Sequence, residues 1–218
     1  MNDLQAQKSI IEIAHKFLQE GLTLGSWGNI SCRVGKTLAI TPSGKSYDSL
    51  LAKDIVIIGK KHPLTPSSEL FLHQEIYSAR KDINAIVHTH SIYATALACL
   101  HEDLPIITED IAQLANGAKI KCAKYALAGT QELAKNTANA LGDGFAVLLA
   151  NHGAVACGKN LHQALLFAEL LEKAAQTYLI GKNARAKIFA LPLPKINQIK
   201  KFYFECYAKR QEGEKHEI

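Results

Sequence analysis

The stretch Ala85-Ile86-Val87-His88-Thr89-His90 restricts the possible fold of this chain more than any other. Three apolar residues followed by alternating histidines read as a short buried strand whose end carries two imidazoles. Side chains alternate across a strand, so His88 and His90 emerge on one face. Their separation along the strand, about 7 Å, lets both rings lean onto one ion with nitrogen–metal bonds near ~2 Å. The same pair could also be core histidines satisfied by hydrogen bonds. Two further residues bear on the choice. His152 stands in Asn151-His152-Gly153, at the end of a second apolar run, Phe145-Ala146-Val147-Leu148-Leu149, and Glu69 opens a helical stretch upstream. Three histidines at strand ends with a carboxylate nearby make a metal set with a replaceable position. Imidazole suits zinc, and also manganese, iron or cobalt. The other histidines (His15, His62, His73, His101, His162, His216) fall on helices, loops or the tail and read as structural or solvated.

Periodicity places elements around that strand. Leu4, Ile10, Ile11, Ala14, Phe17 and Leu18 mark an amphipathic helix over 3–20, with Asp3 as N-cap and Gly21 as the stop. Strands are expected at 38–41 and 55–58. A helix over 69–81 follows, capped by Ser67 or Ser68 and burying Leu70, Phe71, Ile76 and Tyr77. Glu69 then lies in its first turn, where the helix dipole favours an ionised carboxylate. After strand 85–90 come a helix over 91–100, an extended piece at 105–107, a helix over 109–116 and a strand at 120–122. Thr130 caps a helix reaching Leu141. Strands 145–149 and 154–158, a helix over 161–180 and a basic, aromatic-rich helix over 195–211 complete the chain. The strands are not regularly separated by helices as in a doubly wound sheet. A mixed or antiparallel central sheet with helices on both faces fits better, in one domain spanning 1–218.

Composition narrows the functional classes. A formal net charge of +5 without a basic block interleaved with aromatics gives no nucleic-acid footprint, although it suits an anionic small molecule. No run approaches ~18 apolar residues and the N-terminus has no apolar signal core, so neither a membrane span nor export is expected. Five widely spaced cysteines (Cys32, Cys99, Cys122, Cys157, Cys206) without a CxxC pair fit free thiols packed as small hydrophobes in a reducing cytoplasm.

Two small polar stretches remain. Gly25-Ser26-Trp27-Gly28-Asn29-Ile30-Ser31 reads first as a tight turn, although its glycines could also expose N–H groups to an anion. Thr41-Pro42-Ser43-Gly44 closes a strand. Gly44-Lys45-Ser46 is not a P-loop, because the position five residues before Gly44 is Ala39.

Taken together, Gly28-Asn29, Thr41-Pro42-Ser43-Gly44, Ser67-Ser68-Glu69, His88-Thr89-His90 and Asn151-His152-Gly153 resemble the motif series of the class II aldolase/adducin family, in order and spacing, over about residues 5–180. The likeness is greatest to its sugar-phosphate aldolases of the L-fuculose-phosphate type. The resemblance implies a three-layer α/β/α sandwich around a mainly antiparallel nine-stranded sheet, and a four-fold homotetramer with active sites at subunit interfaces. It implies that His88, His90, His152 and Glu69 bind one Zn2+ per subunit, with Glu69 also the acid/base. Gly28, Asn29, Ser43, Gly44, Ser67 and Ser68 match the phosphate pocket, which reverses the turn-only reading of 25–31. Hydroxyls and N–H groups beside a helix N-terminus can hold phosphate without a lysine.

The implied reaction is reversible cleavage of a ketose 1-phosphate, of the L-fuculose or 5-deoxypentulose type, to dihydroxyacetone phosphate and an aldehyde. One departure matters. The aldolase branch has a tyrosine four residues after the proline matching Pro105, and here that position is Glu109. Acidic residues there accompany 4-epimerase and methylthioribulose-phosphate dehydratase relatives, whose connection is longer than in this chain. A second family tyrosine reaches over from a neighbouring subunit; Tyr207 matches it best and Tyr203 less well. Glu109 or Tyr207 is the candidate for the proton on the cleaved hydroxyl. A non-catalytic adducin-type domain is disfavoured because the full ligand set is present.

Overall fold

Asn2 begins the first helix with a reciprocal cap. Its side chain accepts from the Gln5 N–H, and the Gln5 side chain accepts from the Asn2 N–H. Helix α1 therefore runs Asp3–Gln19, one residue past the cap rather than capped by Asp3. Its buried face is Ala6, Ile10, Ile13, Ala14 and Phe17, whereas Leu4 is exposed. The structure, a computed structural model, describes residues 1–185 and 187–207; the side chains of Cys206 and Tyr207, and positions 208–211 of the expected last helix, lie outside the described residues.

Among the described residues nine strands follow in chain order: β1 (Asn29–Val34), β2 (Thr37–Ile40), β3 (Val56–Ile57), β4 (Ala85–Thr89), β5 (Leu104–Pro105), β6 (Lys119–Ile120), β7 (Cys122–Ala123), β8 (Ala146–Leu149) and β9 (Gly153–Gly158). Seven of them form one sheet in the order β3-β2-β1-β4-β9-β8-β7, and β5 and β6 form a separate ribbon, so the nine do not make one sheet. Every pairing is antiparallel except β7 with β8. The fold is α/β with a mainly antiparallel sheet. β4, the strand with the histidines, is central, paired to β1 and β9 and buried at every position.

The helices α2 (Leu70–Ala79), α3 (Ile92–Cys99), α4 (Gln131–Leu141), α5 (Leu161–Asn183) and α6 (Leu193–Phe202) complete the fold. α5 lies on β4 and β9, α1 on β1 and β2, α3 on α5, β8 and β9, and α4 on β7, β8 and α2. Three expectations need correction. Residues 29–34 are a strand although only a turn was legible. Arg33 is accommodated there because its guanidinium donates to the carbonyls of Tyr77, Arg80 and Ile83. Residues 109–114 form a 3-10 helix, since Ile111, Ala112, Gln113 and Leu114 are all buried and leave no solvent face for a helical stripe. α6 begins at Leu193, with Pro194 tolerated in its first turn, and gives way to a π-turn at Tyr203–Tyr207. Among the cysteines, Cys32 and Cys157 are buried as expected, but Cys99 is exposed.

Candidate metal centre

Three separate segments meet at the C-terminal end of β4. Glu69 is the N-cap of α2 (φ −96°, ψ 19°) rather than a first-turn residue, and its side chain does not cap the helix. Ser67 Oγ accepts from its backbone N–H. That frees the carboxylate to turn toward β4. His88 comes from the strand and His90 from just beyond it. His152 comes from the turn between β8 and β9, where Asn151 adopts φ +55° and His152 N–H donates to Leu149 O. His101 on the neighbouring loop hydrogen-bonds Asn151 Oδ1 and holds that turn.

The donor atoms of Glu69, His88, His90 and His152 all lie within 4.8 Å of one another. His88 Nε2 is 2.9 Å from Glu69 Oε2 and 3.0 Å from His90 Nε2, and His152 Nε2 is 3.5 Å from Glu69 Oε1. His88 Nδ1–H donates to Ala154 O at 2.9 Å, so in the neutral ring the lone pair is on Nε2 and faces the cluster. Glu69 Oε1 is buried and has no hydrogen-bond partner. Lone pairs converging this closely, with one carboxylate oxygen unsatisfied, are a repulsive arrangement that a cation relieves. The donor set fits a metal.

The electrostatics agree. Burial opposes ionisation of Glu69, but the charge of and hydrogen bond to His88 outweigh it and hold the carboxyl well below the usual range. Burial likewise opposes a charged His88, yet Glu69 raises its pKa. Desolvation, then the neighbouring imidazoles, push His90 down to about 3 and His152 down to about 4. Glu69 is thus ionised and the rings of His90 and His152 neutral, as a divalent ion requires, while the proton that Glu69 favours on His88 is the one a bound ion would displace.

A cleft of about 100 Å³ opens beside the cluster, lined by Gly28, Asn29, Ser43, Gly44, Ser67, Ser68, Glu69, His90 and His152. All six residues matched to the phosphate pocket are brought together there. The 25–28 loop is fixed by Tyr47, whose N–H donates to Gly25 O and whose hydroxyl donates to Gly28 O. Trp27 also lines the cleft, its ring 5.7 Å from that of His90. Glu109 is exposed and does not line the cleft within this subunit. Tyr203 is buried against Phe167 and Phe204, so it is a packing residue. The Tyr207 side chain lies outside the described residues.

Sequence reasoning missed His73. It is fully buried on α2, with Nε2 bonded to Asn29 Oδ1 and Nδ1 2.6 Å from Ser31 Oγ. A lone histidine on a helix gives no periodic signal; only its four-residue spacing from Glu69 placed it on the same helix face.

Fold and site define a class: an α/β protein whose mainly antiparallel sheet gathers a three-histidine, one-carboxylate cluster fit for a metal beside a cleft of hydroxyls and exposed backbone. The profile of the Class II Aldolase and Adducin N-terminal domain family matches residues 8–179, and the chain belongs to that family. It is 40% identical over 176 residues to the L-fuculose phosphate aldolase of Escherichia coli K12, covering 79% of this chain and 81% of that one. It is 40% identical over 184 residues to the 5-deoxy-D-ribulose 1-phosphate aldolase of Bacillus thuringiensis serovar kurstaki, covering 81% and 85%. A solved L-fuculose 1-phosphate aldolase superposes with a TM-score of 0.87 at 36% identity, covering 91% of this chain and 96% of that chain.

Proposed function

We propose that this chain is a metal-dependent aldolase that reversibly cleaves a ketose 1-phosphate to dihydroxyacetone phosphate and an aldehyde. The observation that carries the reading is the meeting of Glu69, His88, His90 and His152 at the wall of the cleft lined by Gly28, Asn29, Ser43, Gly44, Ser67 and Ser68. The two sugar-phosphate aldolases to which the chain is 40% identical over the aligned residues support it, since both names specify a phosphorylated ketose.

The residues divide the work. The backbone N–H groups and hydroxyls of the cleft hold the phosphate. His88, His90 and His152 hold the metal, for which zinc is the proposed identity on the strength of the imidazole-rich donor set. When bound, the metal supplies Lewis-acid polarisation of the substrate's carbonyl and hydroxyl oxygens. Glu69, its carboxylate at the wall of the cleft, would move the proton at the reacting carbon. Glu109 or Tyr207 of a neighbouring subunit handles the proton on the cleaved hydroxyl. A four-fold homotetramer with sites completed across interfaces is supported by Leu24, Trp27, Ile92 and Leu127, each more than half exposed. The helices are read as two layers enclosing the sheet. Cytoplasmic residence is in keeping with the free thiols, and among the described residues no helix is long and apolar enough to cross a membrane.

The test is incubation of the metal-loaded protein with L-fuculose 1-phosphate and with 5-deoxyribulose 1-phosphate while following dihydroxyacetone phosphate. Release is expected from at least one, and His88→Ala should lose metal and cleavage together. A pentulose epimer without release, a dehydrated diketone, or full activity in metal-free protein overturns the reading.

A further inference from the structure

Behind the metal centre a chain of buried side chains runs away from the cleft. Asn29 Nδ2 donates to Glu69 Oε2 at 2.9 Å, and Asn29 Oδ1 bonds His73 Nε2. His73 Nδ1 lies 2.6 Å from Ser31 Oγ, which lies 2.8 Å from the Tyr77 hydroxyl. Ser31 and His73 are fully buried, and Asn29 and Tyr77 nearly so.

Two periodicities make this possible. On β1, Asn29 and Ser31 are two residues apart and share a face. Asn29 pairs with His88 across the ladder, so that face is the one bearing the metal ligand. On α2, Glu69, His73 and Tyr77 are four apart and form one stripe. Four helical residues rise about 6 Å and two strand residues about 6.6 Å, so the stripes stay in step.

The direction of each bond follows by elimination. An amide oxygen only accepts, so His73 Nε2 carries a hydrogen. Burial disfavours a charged ring and pushes the His73 pKa down to about 3, so Nδ1 is a lone pair. Ser31 must then donate to Nδ1 and accept from Tyr77. Every link donates toward Glu69. Flipping the Asn29 amide would set its NH2 against the His73 N–H and its oxygen against the carboxylate, breaking two bonds at once.

We propose that His73 is a positioning residue: held as the Nε2–H tautomer by Ser31 and Tyr77, it locks the Asn29 amide with its NH2 toward the cleft, one hydrogen on Glu69 and the other for the substrate's phosphate. The phosphate half rests on the reading of the cleft given above. Asn29 thereby ties the position of the acid/base to occupation of the phosphate pocket.

The test compares His73→Gln with His73→Asn. Glutamine can present an N–H where Nε2 was and reach Asn29, whereas asparagine reaches only the Nδ1 position and faces Ser31. His73→Asn is expected to raise KM about tenfold, the worth of one hydrogen bond to a charged group, with a smaller change in kcat. His73→Gln should recover most of that loss. Binding of inorganic phosphate to the metal-free proteins, by calorimetry, should follow the same order. Nitrogen-15 spectra of the wild-type chain, which need no variant, should show His73 with a protonated Nε2 and a bare Nδ1 across the neutral range. A protonated Nδ1, or equal KM and phosphate affinity in the two variants, overturns the proposal. If the tautomer and the phosphate order hold but the wild type cleaves no ketose phosphate, the aldolase reading fails and the positioning role stands.

Discussion

Gly28 has φ +71°, and a Cβ there would lie 2.5 Å from the His88 carbonyl oxygen and 3.0 Å from Phe17 Cζ. The loop meets the ligand strand backbone to backbone at that point. Gly28→Ala combines an unfavourable φ with that clash and should cost about 2–3 kcal/mol. A lowered melting temperature with weaker metal retention would show it, and wild-type behaviour in both would refute it. His73 offers a second test at this scale. Its folded pKa is about 3 against an unfolded value near 6.5. Between those values the unfolded chain holds one more proton, so stability rises with pH, by up to about 1.4 kcal/mol per unit, and is lost as pH falls. In metal-free protein, His73→Gln should flatten the dependence of the denaturation midpoint between about pH 4 and 6 by close to one proton. An unchanged slope would mean that His73 is not neutral in the fold.

Helix α3 starts immediately after His90, yet its N-cap Ser91 makes no capping bond. Glu172 of α5 does so instead, its two carboxylate oxygens accepting from the N–H groups of Tyr93 and Ala94 at 2.8 Å each. Glu172→Ala removes a charge-assisted cap from the element that follows a metal ligand and should cost about 1–2 kcal/mol. Circular dichroism melts would register it; a loss below about 0.3 kcal/mol would show that the helix start does not need it. The sequence could not reveal this cap, because it comes from another helix. What was legible follows the same logic. Apolar runs announced β4 and β8, helical periodicity announced α1 and α5, the Thr130 cap announced α4, and strand alternation placed His88 beside His90. The buried stripe of α2 was read rightly at Ile76 and Tyr77 but misread in its first turn. Hydropathy favoured Leu70 and Phe71, whereas the structure buries Leu72 and His73 and leaves Phe71 exposed. A polar residue inside a protein is visible only through its partners, and those of His73 lie on β1, itself hidden in what read as a turn.

For the whole molecule, a metal held by this cluster would be a ligand of the native state alone. The unfolded chain keeps only the His88-Thr89-His90 pair in proximity, so zinc should raise the melting temperature in proportion to the logarithm of its concentration. Chelation should lower it by several degrees, and zinc should restore it. Equal melting temperatures with and without zinc would exclude a metal in this cluster. The order β3-β2-β1-β4-β9-β8-β7 places three strands on either side of β4. Its amides should therefore exchange with solvent deuterium only when the entire sheet opens, at the slowest rate in the protein. His88 rides on that strand, while His90 lies past its end and His152 sits in a turn. Were an ion loaded or released, His88 would be the ligand held in place by the sheet, and the two outer rings the ones free to open the way.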